Sequence, residues 1–125
     1  MPHVIVFPAV VAVVLLVALT VFQVALAAGA PLGHLAWGGQ YRVLPSRLRL
    51  GSAVSTALYA VFAVVIWAAA SRSSGVAEVG IWVLTAFFGI GVLMNAISRS
   101  RSERLLMTPV ALVLALCCLA IAVRS

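Results

Sequence analysis

Charge is scarce in this chain, and it is bunched. Of 125 residues only two are acidic and eight are basic, all eight of them arginine. Six of these, Arg42, Arg47, Arg49, Arg99, Arg101 and Arg104, form two clusters separated by uncharged stretches long enough to cross a bilayer. A charge left in hydrocarbon is costly, whereas excess arginine in short loops stays on the cytoplasmic side of a membrane. The pattern therefore predicts both where the chain sits and which way up it lies.

Composition closes off the soluble alternative. With 66% hydrophobic residues, a chain of this size has far more apolar surface than a water-soluble core could take in. The bilayer is the expected solvent and first partner. A net charge of +6 would suggest nucleic acid in a soluble domain, but here the arginines flank spans, where topology alone calls for them. Nucleic acid is not expected as a partner.

About 20 apolar residues cross the hydrocarbon as a helix. Four segments qualify: Val4 to Ala28, Gly51 to Ala70, Val79 to Ile97 and Leu105 to Val123. None shows the alternation of a barrel strand, so helix is the reading for each. The expected fold is an all-α integral membrane protein, a single domain over 1–125. It is a four-helix bundle with a long first cytoplasmic loop, in the cell membrane, with both termini outside. The first and third loops hold three arginines each, whereas the second holds Arg72 and the C-terminal tail Arg124. Trp67 and Trp82 would then mark the outer interface, and Trp37 and Tyr41 the inner one. The first segment lacks the basic n-region of a signal peptide and, although Ala25-Leu26-Ala27 resembles a cleavage site, it is read as a retained span.

Polar side chains within the spans gather at one depth. Thr20 and Gln23 lie near the inner end of span one, Asn95 and Ser98 end span three, and Thr108 begins span four. On span two, Ser52, Ser55, Thr56 and Tyr59 follow the i, i+3, i+4, i+7 rule and form one stripe. Helical side chains lean toward their own N-terminus, so Gln23, Tyr59 and Asn95 are placed to meet. Two readings stay open. Such residues serve as hydrogen-bonding glue between helices, or they line a pocket that opens under the arginine rim. Spans one and three also echo each other, each carrying a carboxamide near its inner end and each followed by a basic loop.

The functional expectation is a pocket of Gln23, Ser55, Thr56, Tyr59, Asn95 and His34. It would bind or transport a small polar or anionic molecule or a lipid headgroup, with Arg42, Arg47, Arg49, Arg99, Arg101 and Arg104 drawing the anion in. The alternative is an accessory subunit with no ligand. Its docking face, for a second copy or a partner membrane protein, would be the small residues Thr108, Ala111, Ala115, Cys118 and Ala122. Catalysis is not expected, because too few reactive side chains are present to name a reaction. His34 has no second His, Cys or carboxylate at ligand spacing, so neither metal nor cofactor is expected. The adjacent Cys117 and Cys118 are read as packing residues, since a vicinal disulfide is strained.

Helix ends and loops complete the expectations. Ser102-Glu103 is expected to cap span four and Glu78 to begin span three. Pro109 is expected to bend span four. No acid lies within a span as drawn, which argues against proton coupling. Residues 29–50 mix turn formers with aromatics, as suits a segment that lies at the interface or re-enters the membrane.

Overall fold

The structure, a computed structural model, describes residues 3–72 and 75–124. Among these the chain is all-helical. Four long helices run α1 (His3–Ala27), α2 (Ser46–Arg72), α3 (Gly75–Ala96) and α4 (Arg101–Arg124), and two 3-10 turns, Gly33–Leu35 and Trp37–Gly39, lie between α1 and α2. Each long helix has the length and apolarity to cross a membrane. The chain thus has the build of a multi-pass membrane protein, with helices packed in the cyclic order α1, α2, α3, α4.

Three helices begin earlier than the hydrophobic windows. α2 starts at Ser46 and carries Arg47 and Arg49, α3 starts at Gly75, and α4 starts at Arg101 and carries Glu103 and Arg104. A hydropathy window stops at a charge, whereas backbone hydrogen bonding does not, and long arginine stems let a terminal helical turn stand at the interface. The link from α2 to α3 shrinks to residues 73–74, which lie outside the described residues. α4 runs unbroken through Pro109.

One end of the bundle is solid. From α1 the core takes Ile5, Ala9, Ala12 and Leu16, and from α3, at the same spacing, Ala77, Ile81, Leu84 and Phe88. These i, i+4, i+7, i+11 runs are single helical seams. Ile66, Ala69 and Ala70 of α2 and Leu114, Cys118, Ile121 and Ala122 of α4 close the layer. Small residues let backbones approach, which is how helices associate where lipid removes the hydrophobic drive. The free thiols of Cys117 and Cys118 are part of this packing. Val10, Val14, Val17, Val21 and Val24 point outward along α1.

Of the small residues expected to dock a partner, Thr108 and Ala115 are half-buried. Ala111, Cys118 and Ala122 of α4 are buried in the bundle.

At the other end, where α1 meets α2 and α3 meets α4 through connections, the first connection folds back as a cap. α1 stops in a Schellman motif, with Ala30 N–H bonded to Ala25 O (2.9 Å) and Gly29 N–H to Leu26 O (3.0 Å). Gly29 sits at φ +96, a conformation that strains any side-chain-bearing residue. Arg49 Nε donates to the last α1 carbonyl, Ala27 O, at 2.9 Å. Leu26, Ala36 and Leu44 form a second small core under this cap. The first connection is thus a compact strap across the bundle end, built of two short turns.

The solid end yields a first prediction. Ala12 has no exposed surface, whereas Val14 is 60% exposed. Ala12→Leu should overpack the seam and cost about 1–3 kcal/mol, while Val14→Leu should stay within about 0.5 kcal/mol of the parent. Thermal unfolding of both variants in detergent micelles checks this.

Candidate functional site

The loop end is hollow. A cavity of about 240 Å³ lies between all four helices beneath the strap. Its polar lining is Gln23 from α1, Tyr59 from α2, Asn95 from α3 and Glu103 from α4, and Trp37 closes it from the strap. Phe87 and Phe88 form an edge-to-face pair (5.4 Å between ring centres) and both line the cavity, with Phe88 also buried in the core.

Three of the sequence-derived residues meet here, namely Gln23, Tyr59 and Asn95. Gln23 is only 9% exposed, and its Oε1 is buried with no hydrogen-bond partner among the described residues. The Tyr59 hydroxyl lies beside this carboxamide. Asn95 donates Nδ2 to the Gly91 carbonyl one turn back, at 2.8 Å. The amide nitrogen carries two hydrogens, so a second N–H and the acceptor Oδ1 both remain beyond the bond to Gly91.

The other candidates are placed elsewhere. Ser55 and Thr56 donate to the carbonyls four residues back, Gly51 O at 3.0 Å and Ser52 O at 3.1 Å, and neither lines the cavity. Serine and threonine on a helix satisfy themselves in this way when no outside acceptor competes. The His34 side chain is exposed, and only its backbone carbonyl is engaged, accepting from Ser100 Oγ.

The arginines form no part of the cavity wall. Arg49 caps α1, and Arg104 Nη1 donates to Ser98 O just past α3 at 3.1 Å. Arg47 Nη2 reaches the Tyr41 hydroxyl at 3.3 Å and its guanidinium stands 5.9 Å from that ring's centre. Arg42, Arg99 and Arg101 are exposed at the same end of the bundle. Two of six are thus spent on backbone carbonyls at or just past helix ends, and the other four lie on the outside.

Glu103 and Trp37 were not among the candidates, and both are central. Ser100, not Ser102, is the α4 cap, since its Oγ accepts from Glu103 N–H at 3.2 Å. In a capping box the glutamate three residues on would turn back to the cap's own N–H. Here Ser98 Oγ already takes the Ser100 N–H, at 3.2 Å. Glu103 is therefore free to face inward, 7% exposed, where Oε2 accepts from Gly38 N–H on the strap at a long 3.4 Å. A carboxylate lies in the helical bundle after all, which corrects the sequence reading.

Trp37 is held by its seat on α2. Its indole N–H donates to the fully buried Ser52 Oγ at 3.2 Å. Its ring lies so close to Gly51 that a Cβ there would come within 2.9 Å of it. Trp37 adopts φ +53, a left-handed conformation costing a side-chain-bearing residue about 1–2 kcal/mol. Such strain persists where the surroundings over-determine it, and it gathers at ligand clamps and switch regions.

Comparison with family models, curated proteins and solved structures finds no match to this chain. Geometry and chemistry alone carry the functional reading.

The cap assignment can be tested directly. Ser100→Ala should cost about 1 kcal/mol through loss of the N-cap, whereas Ser102→Ala, at an exposed position, should change stability by less than about 0.5 kcal/mol. Parallel thermal melts distinguish the two.

Proposed function

We propose that this chain binds a small molecule in the cavity at the loop end of its bundle, and that the cavity opens toward the cytoplasm. The observation that carries the reading is Gln23. A buried carbonyl oxygen without a hydrogen bond costs about 1–3 kcal/mol, and Gln23, whose Oε1 is such an atom, lines the cavity together with Glu103, Asn95 and Tyr59. Asn95, Ser55 and Thr56 each turn to their own helix, and Gln23 and Tyr59 are the pair that meets between helices. A concave, mostly apolar site with a few convergent polar groups is the usual form of a small-molecule site.

The placement in the cell follows from charge. All six clustered arginines lie at the loop end, so this end faces the cytoplasm by the positive-inside rule, with both termini outside and the chain in the cell membrane. Binding, or transport of what is bound, is favoured over an accessory role because Ala111, Cys118 and Ala122 of the small-residue face of α4 are already buried within the chain.

Two experiments test this. Gln23→Leu should abolish ligand retention. Native mass spectrometry should find a bound non-protein mass on the parent protein and none on the variant. A parent carrying no bound molecule, and showing no thermal shift with a panel of metabolites and lipids, would reduce the cavity to a packing feature. For orientation, a tag at the C-terminus should react with impermeant reagent added to intact cells; protection of that tag would reverse the assignment.

A further inference from the structure

We infer that the cavity takes a primary ammonium with a small apolar body, its charged head held by Glu103. This rests on the reading of the cavity as a ligand site and adds the chemistry of the occupant.

Among the described residues, Glu103 is the one charged group that lines the cavity. Glu103 brings two carboxylate oxygens, of which one has a long contact to Gly38 N–H. Asn95 adds the acceptor Oδ1 and, with one N–H on Gly91, a second N–H, while the Gln23 carboxamide sits against the Tyr59 hydroxyl. The complement of such a set is a cluster of N–H donors, and an ammonium carries three.

Charge gives the same answer independently. Glu103 is 7% exposed, yet no arginine lines the cavity, and Arg104 beside it faces the Ser98 carbonyl. Buried charges are normally paired. An anionic occupant would set like charges together in a low-dielectric space, where repulsion is strongest. A neutral occupant would leave the carboxylate without a counter-charge, and a quaternary ammonium would leave the carboxamide oxygens without donors.

The remaining wall fixes the body. Leu19, Phe22, Phe87, Phe88 and Leu114 surround it with apolar surface, and the Trp37 indole adds a face of the kind that attracts cations. A volume of about 240 Å³ lies below the ~300 Å³ at which drug-sized sites begin. One aromatic ring on a short alkylamine suits it; a lipid with its acyl chains does not.

The test uses the full chain in phosphatidylcholine nanodiscs, with Trp67→Phe and Trp82→Phe leaving Trp37 as the sole indole of the three. Four probes are titrated against Trp37 emission: 2-phenylethylammonium, its trimethylammonium analogue, 2-phenylethanol and 3-phenylpropionate. The primary ammonium should bind about 10- to 100-fold more tightly than the alcohol, the weight of hydrogen bonds to a charged group. The trimethylated analogue should be weaker than the primary ammonium by about tenfold, a measurement that needs no variant at the site. Glu103→Gln should bring the primary ammonium down to the level of the alcohol. Equal binding of the two cations would overturn recognition by donors. Phenylpropionate or phenylethanol binding as tightly as the ammonium would overturn the cation inference while leaving the ligand site standing. Saturation by none of the four would also overturn it, the ligand site itself being judged by the bound mass on the parent protein and on Gln23→Leu.

Discussion

Hydrocarbon offers a polar group nothing to bond to, and the loop end of this protein is organised by that constraint. Two helices finish there and two begin, so their unpaired carbonyls and amides come together at one level. Arg49 bonds the last carbonyl of α1. Arg104 serves the carbonyl just past α3, and Ser100 caps α4 while tying α4 to the strap through the His34 carbonyl. Ser52 takes the Trp37 indole. Each contact is modest alone, but together they hold the strap across the bundle and determine which polar atoms remain over. Gln23 Oε1 and Thr108 Oγ1 stay buried without a hydrogen bond among the described residues, and Gln23 and Glu103 line the cavity.

The bundle is thereby divided along its length. Its terminal half is filled by two matching seams on α1 and α3, with alanine where backbones come closest. Continuing each seam by two helical turns arrives at a carboxamide, Gln23 in one and Asn95 in the other. At that level the packing gives way to the cavity. A rigid half supporting a hollow half is a sound way to hold binding groups in place, because the side chains that line the site grow from helices already fixed by packing.

Much of this was legible in the residues. The four spans follow from charge and length, and the meeting of Gln23, Tyr59 and Asn95 follows from their common depth and the lean of helical side chains. The stripe on α2 was real as a stripe, but Ser55 and Thr56 turn to their own backbone, an outcome that the back-bonding habit of these residues on a helix would have anticipated. Glu103 was hidden by a sound local rule, since a glutamate beside serine at a helix start reads as a cap. Only the diversion of Ser100 N–H to Ser98 releases it inward. Trp37 was hidden differently. Its place depends on the strap folding back onto Gly51, a contact between segments that no periodicity announces.

The helices are unequal in reach. α3 has 22 residues and α2 has 27, which at 1.5 Å per residue is about 33 Å against about 40 Å, while the oily interior of a bilayer measures about 30 Å. The surplus at the start of α2 is the stretch that carries Arg47, Arg49 and the glycine seat of Trp37. A thicker membrane draws that overhang toward the headgroups and a thinner one releases it, so hydrophobic mismatch acts first on the seat of the strap. Bilayer thickness would thus bear first on the stretch of α2 against which the strap packs.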